Sequence, residues 1–130
     1  MAGVDGWQVS NFPILSGAAH LSSLEIFAKA GMKNLRKKSE LLTGYLEYLL
    51  NEIDPGKKHF HILTPANKTE RGCQLSIFTK LNGRKIFNTI TKAGVIADWR
   101  EPDVIRVAPV PLYNTFEDVF RFGEIFKRAL

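Results

Sequence analysis

The sequence predicts an α+β fold in which a small, mostly antiparallel sheet is covered by helices. Two observations carry this expectation. Up to Ile53 the apolar residues recur at helical spacing, whereas beyond it they fall into short β-branched or alternating runs between Gly, Pro and polar turns. Helical stripes and a one-sided sheet each need something to bury against, and packing one on the other satisfies both. The expected order is α-α-β-β-α-β-β-α, in a single domain spanning residues 1–130.

The opening Trp7-Gln8-Val9-Ser10-Asn11-Phe12-Pro13-Ile14 alternates apolar and polar residues before a proline that biases Phe12 away from helix, so an extended segment is expected. A helix over residues 18–30 follows, with Leu21, Leu24 and Phe27 on one face and Gly31 as its stop. The clearest element runs over residues 32–53. There Leu35, Leu42, Leu46, Leu49 and Ile53 keep helical spacing, and Asp54-Pro55-Gly56 ends the run. These side chains read as core.

In the second half, residues 59–63 form a short strand closed by Thr64-Pro65, and residues 74–79 alternate as a half-buried strand after a polar loop with Arg71-Gly72. A helix over residues 83–93 is carried by Ile86, Phe87 and Ile90 and closed by Gly94. Strands at 95–99 and 104–107 flank Glu101-Pro102-Asp103. Thr115 is the expected N-cap of the last helix, with Glu117 and Asp118 favourable in its first turn and Phe116, Val119, Phe120, Phe126 and Leu130 as its apolar surface.

Composition narrows the function classes. The chain is 45% hydrophobic and 24% charged, ordinary for a soluble globular domain, and no apolar run approaches the roughly 20 residues of a membrane span. Met1-Ala2-Gly3-Val4-Asp5-Gly6 has neither the basic region nor the apolar core of a secretory signal. Cys73 is the single cysteine, which fits a reducing compartment, and a cytoplasmic location is expected. A net charge of +5 raises nucleic-acid binding, with Lys29, Lys33, Arg36, Lys37 and Lys38 as the densest cluster. On a helix these residues fan over the solvent side, and no aromatics interleave with them as a single-strand platform requires. No nucleic-acid and no membrane partner is expected.

Phosphate-cradling and nucleophile-elbow motifs are absent. His59 and His61 share one face of a strand, a possible metal-ligand spacing, but without a third ligand nearby no metal is expected. His20 sits in a helical segment and reads as packed or exposed rather than catalytic, and Cys73 has no adjacent base, so a small buried residue at a strand start is its simpler role. The stretch that stands out is Arg106-Val107-Ala108-Pro109-Val110-Pro111-Leu112-Tyr113-Asn114. An arginine ends a β-branched run, and two alternate prolines stop the strand from pairing further. A guanidinium at a rigid strand end suits bidentate capture of a carboxylate or phosphate, but spacing alone favours an ordinary surface or ion-paired arginine.

Six collinear segments carry a resemblance: Val9-Ser10-Asn11-Phe12-Pro13-Ile14, Ser23-Leu24-Glu25-Ile26-Phe27, Leu35-Arg36-Lys37-Lys38-Ser39, Leu41-Leu42-Thr43-Gly44-Tyr45-Leu46-Glu47-Tyr48-Leu49, Glu70-Arg71-Gly72-Cys73-Gln74-Leu75 and Ile105-Arg106-Val107-Ala108-Pro109-Val110-Pro111-Leu112-Tyr113-Asn114. Together they resemble the C-terminal part of kynureninase over nearly the whole chain. That family comprises dimeric, pyridoxal 5'-phosphate-dependent hydrolases of the aspartate-aminotransferase fold. They cleave L-kynurenine or 3-hydroxykynurenine to alanine and an anthranilate in tryptophan catabolism.

The resemblance implies that this chain is the small domain. The Schiff-base lysine, the aspartate facing the pyridine nitrogen and most of the phosphate cup would then lie in a large domain that the chain lacks. Lys85, Lys92 and Lys127 fall in segments matching no lysine of the cofactor site. By the same resemblance Arg106 matches the arginine that grips the substrate α-carboxylate. Asn11 matches the asparagine that reaches the cofactor site across the dimer interface, where its amide can bond the phosphate or approach the substrate, and Ser10 beside it completes the pair seen in animal-type enzymes that favour the 3-hydroxy substrate. Without the resemblance, Ser10-Asn11 reads as a turn or cap pair. The resemblance implies no catalytic residue here and an isolated chain that is inactive. The alternative is a non-catalytic binding or interaction module that keeps the small-domain fold.

Overall fold

The computed structural model describes residues 3–7 and 10–130. The chain divides into two compact units, residues 1–34 and 35–130.

In the first unit a 3-10 turn at Val4–Trp7 is followed by helix α1, Ile14–Ala30. Trp7 therefore lies in a turn and Ser10 at a bend, rather than in an extended segment, while Gln8 and Val9 lie outside the described residues. The helix starts at Ile14 and not at residue 18 because Pro13 itself is the N-cap, its carbonyl accepting from Gly17 N at 2.8 Å. The proline that keeps Phe12 out of a helix is well suited to begin one, since a missing N–H costs nothing there. Gly31 is the C-cap as expected, its N–H donating to Phe27 O. The expected apolar face is not buried: no α1 residue is buried, and Leu21, Leu24 and Phe27 remain 57, 50 and 38% exposed. With Ile14, Leu15 and Ile26, these side chains spread around the helix rather than forming one stripe.

The second unit holds nearly all of α2 (Met32–Ile53), then β1 (Phe60–Ile62), β2 (Leu75–Thr79), α3 (Gly83–Lys92), β3 (Asp98–Arg100), β4 (Val104–Val107) and α4 (Phe116–Ala129). With α1, the described elements give the expected order and an α+β fold. The strands form one antiparallel sheet in the order β1-β2-β4-β3. Burial alternates along β2 and β4, so Leu75, Ile77, Ile105 and Val107 face inward. They meet Leu42, Leu46 and Leu50 of α2, Ile86 and Ile90 of α3, and Val119 and Phe126 of α4. Each such burial contributes about 1.5–3 kcal/mol. Leu50, absent from the expected stripe, is wholly buried, while Leu49 lies half-buried on the rim with its Cδ1 3.3 Å from where a Cβ on Gly123 would sit.

Two local features fix the sheet. Gly83 opens α3 so close to β2 that a Cβ there would lie 2.0 Å from Thr79 Oγ1, and only glycine fits. Thr79 in turn donates from N and Oγ1 to Asp103 O at 2.9 and 3.0 Å, tying β2 to the β3–β4 turn. β3 begins later than expected. Val95 N is bonded to Ile90 O as part of the α3 ending, Ile96 is fully exposed, and hairpin pairing places 98–100 against 104–106. Thr115 and Asp118 form a reciprocal capping box on α4 (3.2 and 2.8 Å), and donation from Thr115 N and Oγ1 to the Asp118 carboxylate holds it below the usual range. Val119, Gly123 and Phe126 form the buried stripe of α4; Phe116 and Phe120 flank it at 47 and 50% exposure.

Candidate functional site

Arg106 stands on the outer face of the sheet because Ile105 and Val107, its neighbours on β4, point into the core. Its register partners are Ser76 on β2 and Asp98 on β3. The guanidinium donates from Nε to Asp98 Oδ2 at 2.7 Å and from Nη2 to the same oxygen. Arg100 Nε reaches that oxygen too, at 3.0 Å. Arg106 is the better enclosed of the two arginines, with 31% of its side chain exposed against 60%. The Arg106 hydrogen bond, opposed by partial desolvation and aided by the charges of both arginines, holds the Asp98 carboxyl below the usual carboxylate range. Nη1 of Arg106 bonds to no described residue.

Beyond Val107 the strand stops as the two prolines predict. Asn114 closes the turn: its Oδ1 accepts from Val110 N at 2.9 Å, and its N donates to Val110 O at 2.8 Å. Lys38 Nζ donates to Pro111 O at 2.7 Å, joining the turn to α2. An open cleft of about 440 Å³ lies below, lined by Leu46, Val95, Val107, Pro109 and Phe122 among others. Its lining mixes apolar residues with Asn114, Asp118 and Arg121 and does not include Arg106.

A profile of the kynureninase C-terminal domain matches residues 35–126, nearly all of the second unit. The chain belongs to the kynureninase family. The kynureninase of Flavobacterium psychrophilum is 54% identical over 129 residues, covering 98% of this chain and 30% of that protein. That of Flavobacterium johnsoniae is 50% identical with the same coverage, and that of Xanthomonas euvesicatoria pv. vesicatoria is 50% identical over 94% of this chain and 29% of that protein. The chain thus spans about 30% of the length of these curated kynureninases. The expected resemblance and its C-terminal placement are borne out.

Of the other residues singled out by the kynureninase resemblance, Ser10 and Asn11 are exposed and belong to the first unit. They precede Phe12, whose ring lies so close over Gly17 that a Cβ on that glycine would be 2.0 Å from Phe12 Cζ. His59 is turned toward Asp54 (Nδ1 to Oδ1, 3.7 Å), whereas His61 packs on Phe78 with ring centroids 5.0 Å apart. Among the described residues no group of three His, Cys, Asp or Glu is arranged to hold a metal ion, and no helix is long and apolar enough to cross a membrane. Two members of the basic cluster act as ties. Lys38 holds the Pro111 turn, and Arg36 donates to Arg71 O at 3.0 Å and to Lys68 O while pairing with Glu40.

Two groups escaped sequence reasoning. Arg71, read only as part of a loop, is buried in an ion pair with Glu47 at 2.5 Å and donates to Pro65 O at 3.2 Å, pinning the loop before β2 onto α2. Asp98 was hidden by placing β3 too early. Pairing the hairpin symmetrically about Pro102 would have set Asp98 opposite Arg106.

Proposed function

We propose that this chain is the C-terminal part of a kynureninase and that it grips the substrate's α-carboxylate through Arg106. The supporting observation is the guanidinium itself: one edge is held by Asp98, while Nη1 on the other meets no described residue. A planar fork of N–H donors matches a carboxylate in two-pronged fashion, and a strand end fixed by its neighbours keeps that fork in place.

In the proposed reaction water cleaves the Cβ–Cγ bond of L-kynurenine or 3-hydroxykynurenine. Its hydroxyl ends on anthranilate or 3-hydroxyanthranilate and its proton on Cβ of L-alanine. Pyridoxal 5'-phosphate supplies the electron sink for that cleavage in the complete enzyme. The lysines described here do not fit its covalent attachment. All are exposed except half-buried Lys38, which is engaged by Pro111 O. The attachment lysine therefore belongs to the large domain, and residues 1–130 act with it as the small domain. Arg106 orients the amino acid so that the scissile bond is aligned for reaction. Asn11 donates to the cofactor phosphate or approaches the substrate across a homodimer interface, with Ser10 beside the substrate ring. The complete enzyme acts in the cytoplasm.

The test is kynurenine cleavage by this chain with and without a separately produced large domain. Turnover only in the mixture is expected. Turnover by the chain alone would overturn the division of labour, and a well-folded mixture that binds cofactor but cleaves nothing would favour a non-catalytic interaction module.

A further inference from the structure

We propose that Asp98 is a positioning residue for Arg106, taking the side-on Nε/Nη2 edge of the guanidinium so that the end-on Nη1/Nη2 fork faces an incoming carboxylate. The inference rests on Arg106 being the carboxylate clamp. A guanidinium has two edges that can each hold an acceptor by two parallel N–H bonds. Here the side-on edge is closed on a single oxygen, Asp98 Oδ2, from Nε at 2.7 Å and from Nη2. Two bonds to one atom fix both the swing of the side chain and the plane of its head. They leave one Nη2 hydrogen and one Nη1 hydrogen side by side on the end-on edge, with the second Nη1 hydrogen on the Cδ side.

The backbone makes the arrangement reproducible. Asp98 and Arg106 are direct partners in the β3–β4 hairpin, on the face opposite the core residue Ile105. Arg100 also donates to Oδ2, at 3.0 Å, and adds a second positive charge. Two guanidinium groups against one carboxylate leave the cluster with a net charge of +1, so Asp98 orients Arg106 without turning the site repulsive to an anion.

The experiment uses the complete enzyme, this segment with its large domain, and measures kcat and KM for kynurenine in Asp98→Asn, Arg106→Lys and the double variant. Asp98→Ala serves the same purpose should the Asn variant fold poorly. The expected result for Asp98→Asn is a KM raised about fivefold, the upper end for a partly exposed pair, with kcat changed less. In the Arg106→Lys background, where no Nε edge remains to be held, the same change should alter KM by less than about twofold. An unchanged KM would overturn the positioning role. A lowered KM would show that Asp98 competes with substrate, and multiplying effects in the double variant would show that it acts independently of Arg106. Wild-type kinetics in Arg106→Lys itself would instead overturn the clamp, a failure distinguishable from the others.

Discussion

Helices α1 and α2 follow one another in the chain and both are rich in leucine and isoleucine, yet only α2 buries them. In α2 the residues Leu35, Leu42, Leu46 and Leu50 fall on one buried stripe, and the last three join the core of the second unit. In α1 the apolar side chains point around the whole helix, and none is buried. A stripe needs one partner surface and finds it within 130 residues; a helix apolar all round needs cover on several sides. The chain spans about 30% of its relatives' length, and within it only the α2 stripe finds such cover among the described residues.

The sharpest way to break this comparison is to truncate one leucine in each helix. Leu46→Ala should lower unfolding free energy by about 2–5 kcal/mol, whereas Leu24→Ala should change it by no more than about 0.5 kcal/mol, measured by urea denaturation of the chain. Equal losses would mean that α1 is packed after all. Next in size is Arg71→Ala, which strands Glu47 without its partner and releases the loop from Pro65 O. A loss of about 2–3 kcal/mol is expected, less than for a fully enclosed pair because Glu47 keeps 24% of its side chain exposed. A loss under about 0.5 kcal/mol would show the loop to be held by other contacts.

The second unit was legible in the sequence where the signals are local. The α2 stripe and its Asp54-Pro55-Gly56 stop, the Thr115 cap of α4 and the β4 run with its two prolines each rest on neighbours within a turn or two. Three features were not legible. Whether Leu21, Leu24 and Phe27 are covered depends on surfaces that a periodicity cannot contain. The start of β3 depends on pairing with β4, a register choice that also decides whether Asp98 meets Arg106. Arg71 reads as loop because its partner Glu47 is 24 residues away. Arg106 itself stood out from its strand-end grammar and Asn11 only through the family resemblance, since nothing local to Asn11 distinguishes it from a turn residue.

A smaller effect concerns Asp54, at the end of α2. Burial alone would raise its pKa, but N–H groups of His59, Lys58 and Phe60 bond to the carboxylate at 2.7, 3.0 and 3.2 Å and lower it overall. A carboxyl with a lower folded than unfolded pKa adds stability above the unfolded value, near pH 4, and loses it as pH falls through the folded value. Acid unfolding of Asp54→Asn should therefore show a weaker dependence on pH below about 4 than the parent chain. An identical profile would remove Asp54 from the set of groups that set acid stability. The mildest test returns to α1. The chain alone should self-associate in sedimentation at high concentration, and Leu21→Glu with Leu24→Glu should reduce that association while leaving thermal stability nearly unchanged. A strictly monomeric parent would show that the exposed apolar helix is tolerated in water.

The most direct test of the account is Arg106→Lys in the complete enzyme. Lysine keeps the charge but has no planar fork, so the loss of one charge-assisted hydrogen bond, about 1.5–3 kcal/mol, should lower kcat/KM roughly ten- to more than a hundredfold. Because the proposed grip would also orient the scissile bond, kcat should fall together with affinity while pyridoxal 5'-phosphate binding stays nearly intact. Wild-type kcat/KM, or loss of the cofactor instead of substrate affinity, would contradict the role proposed for Arg106.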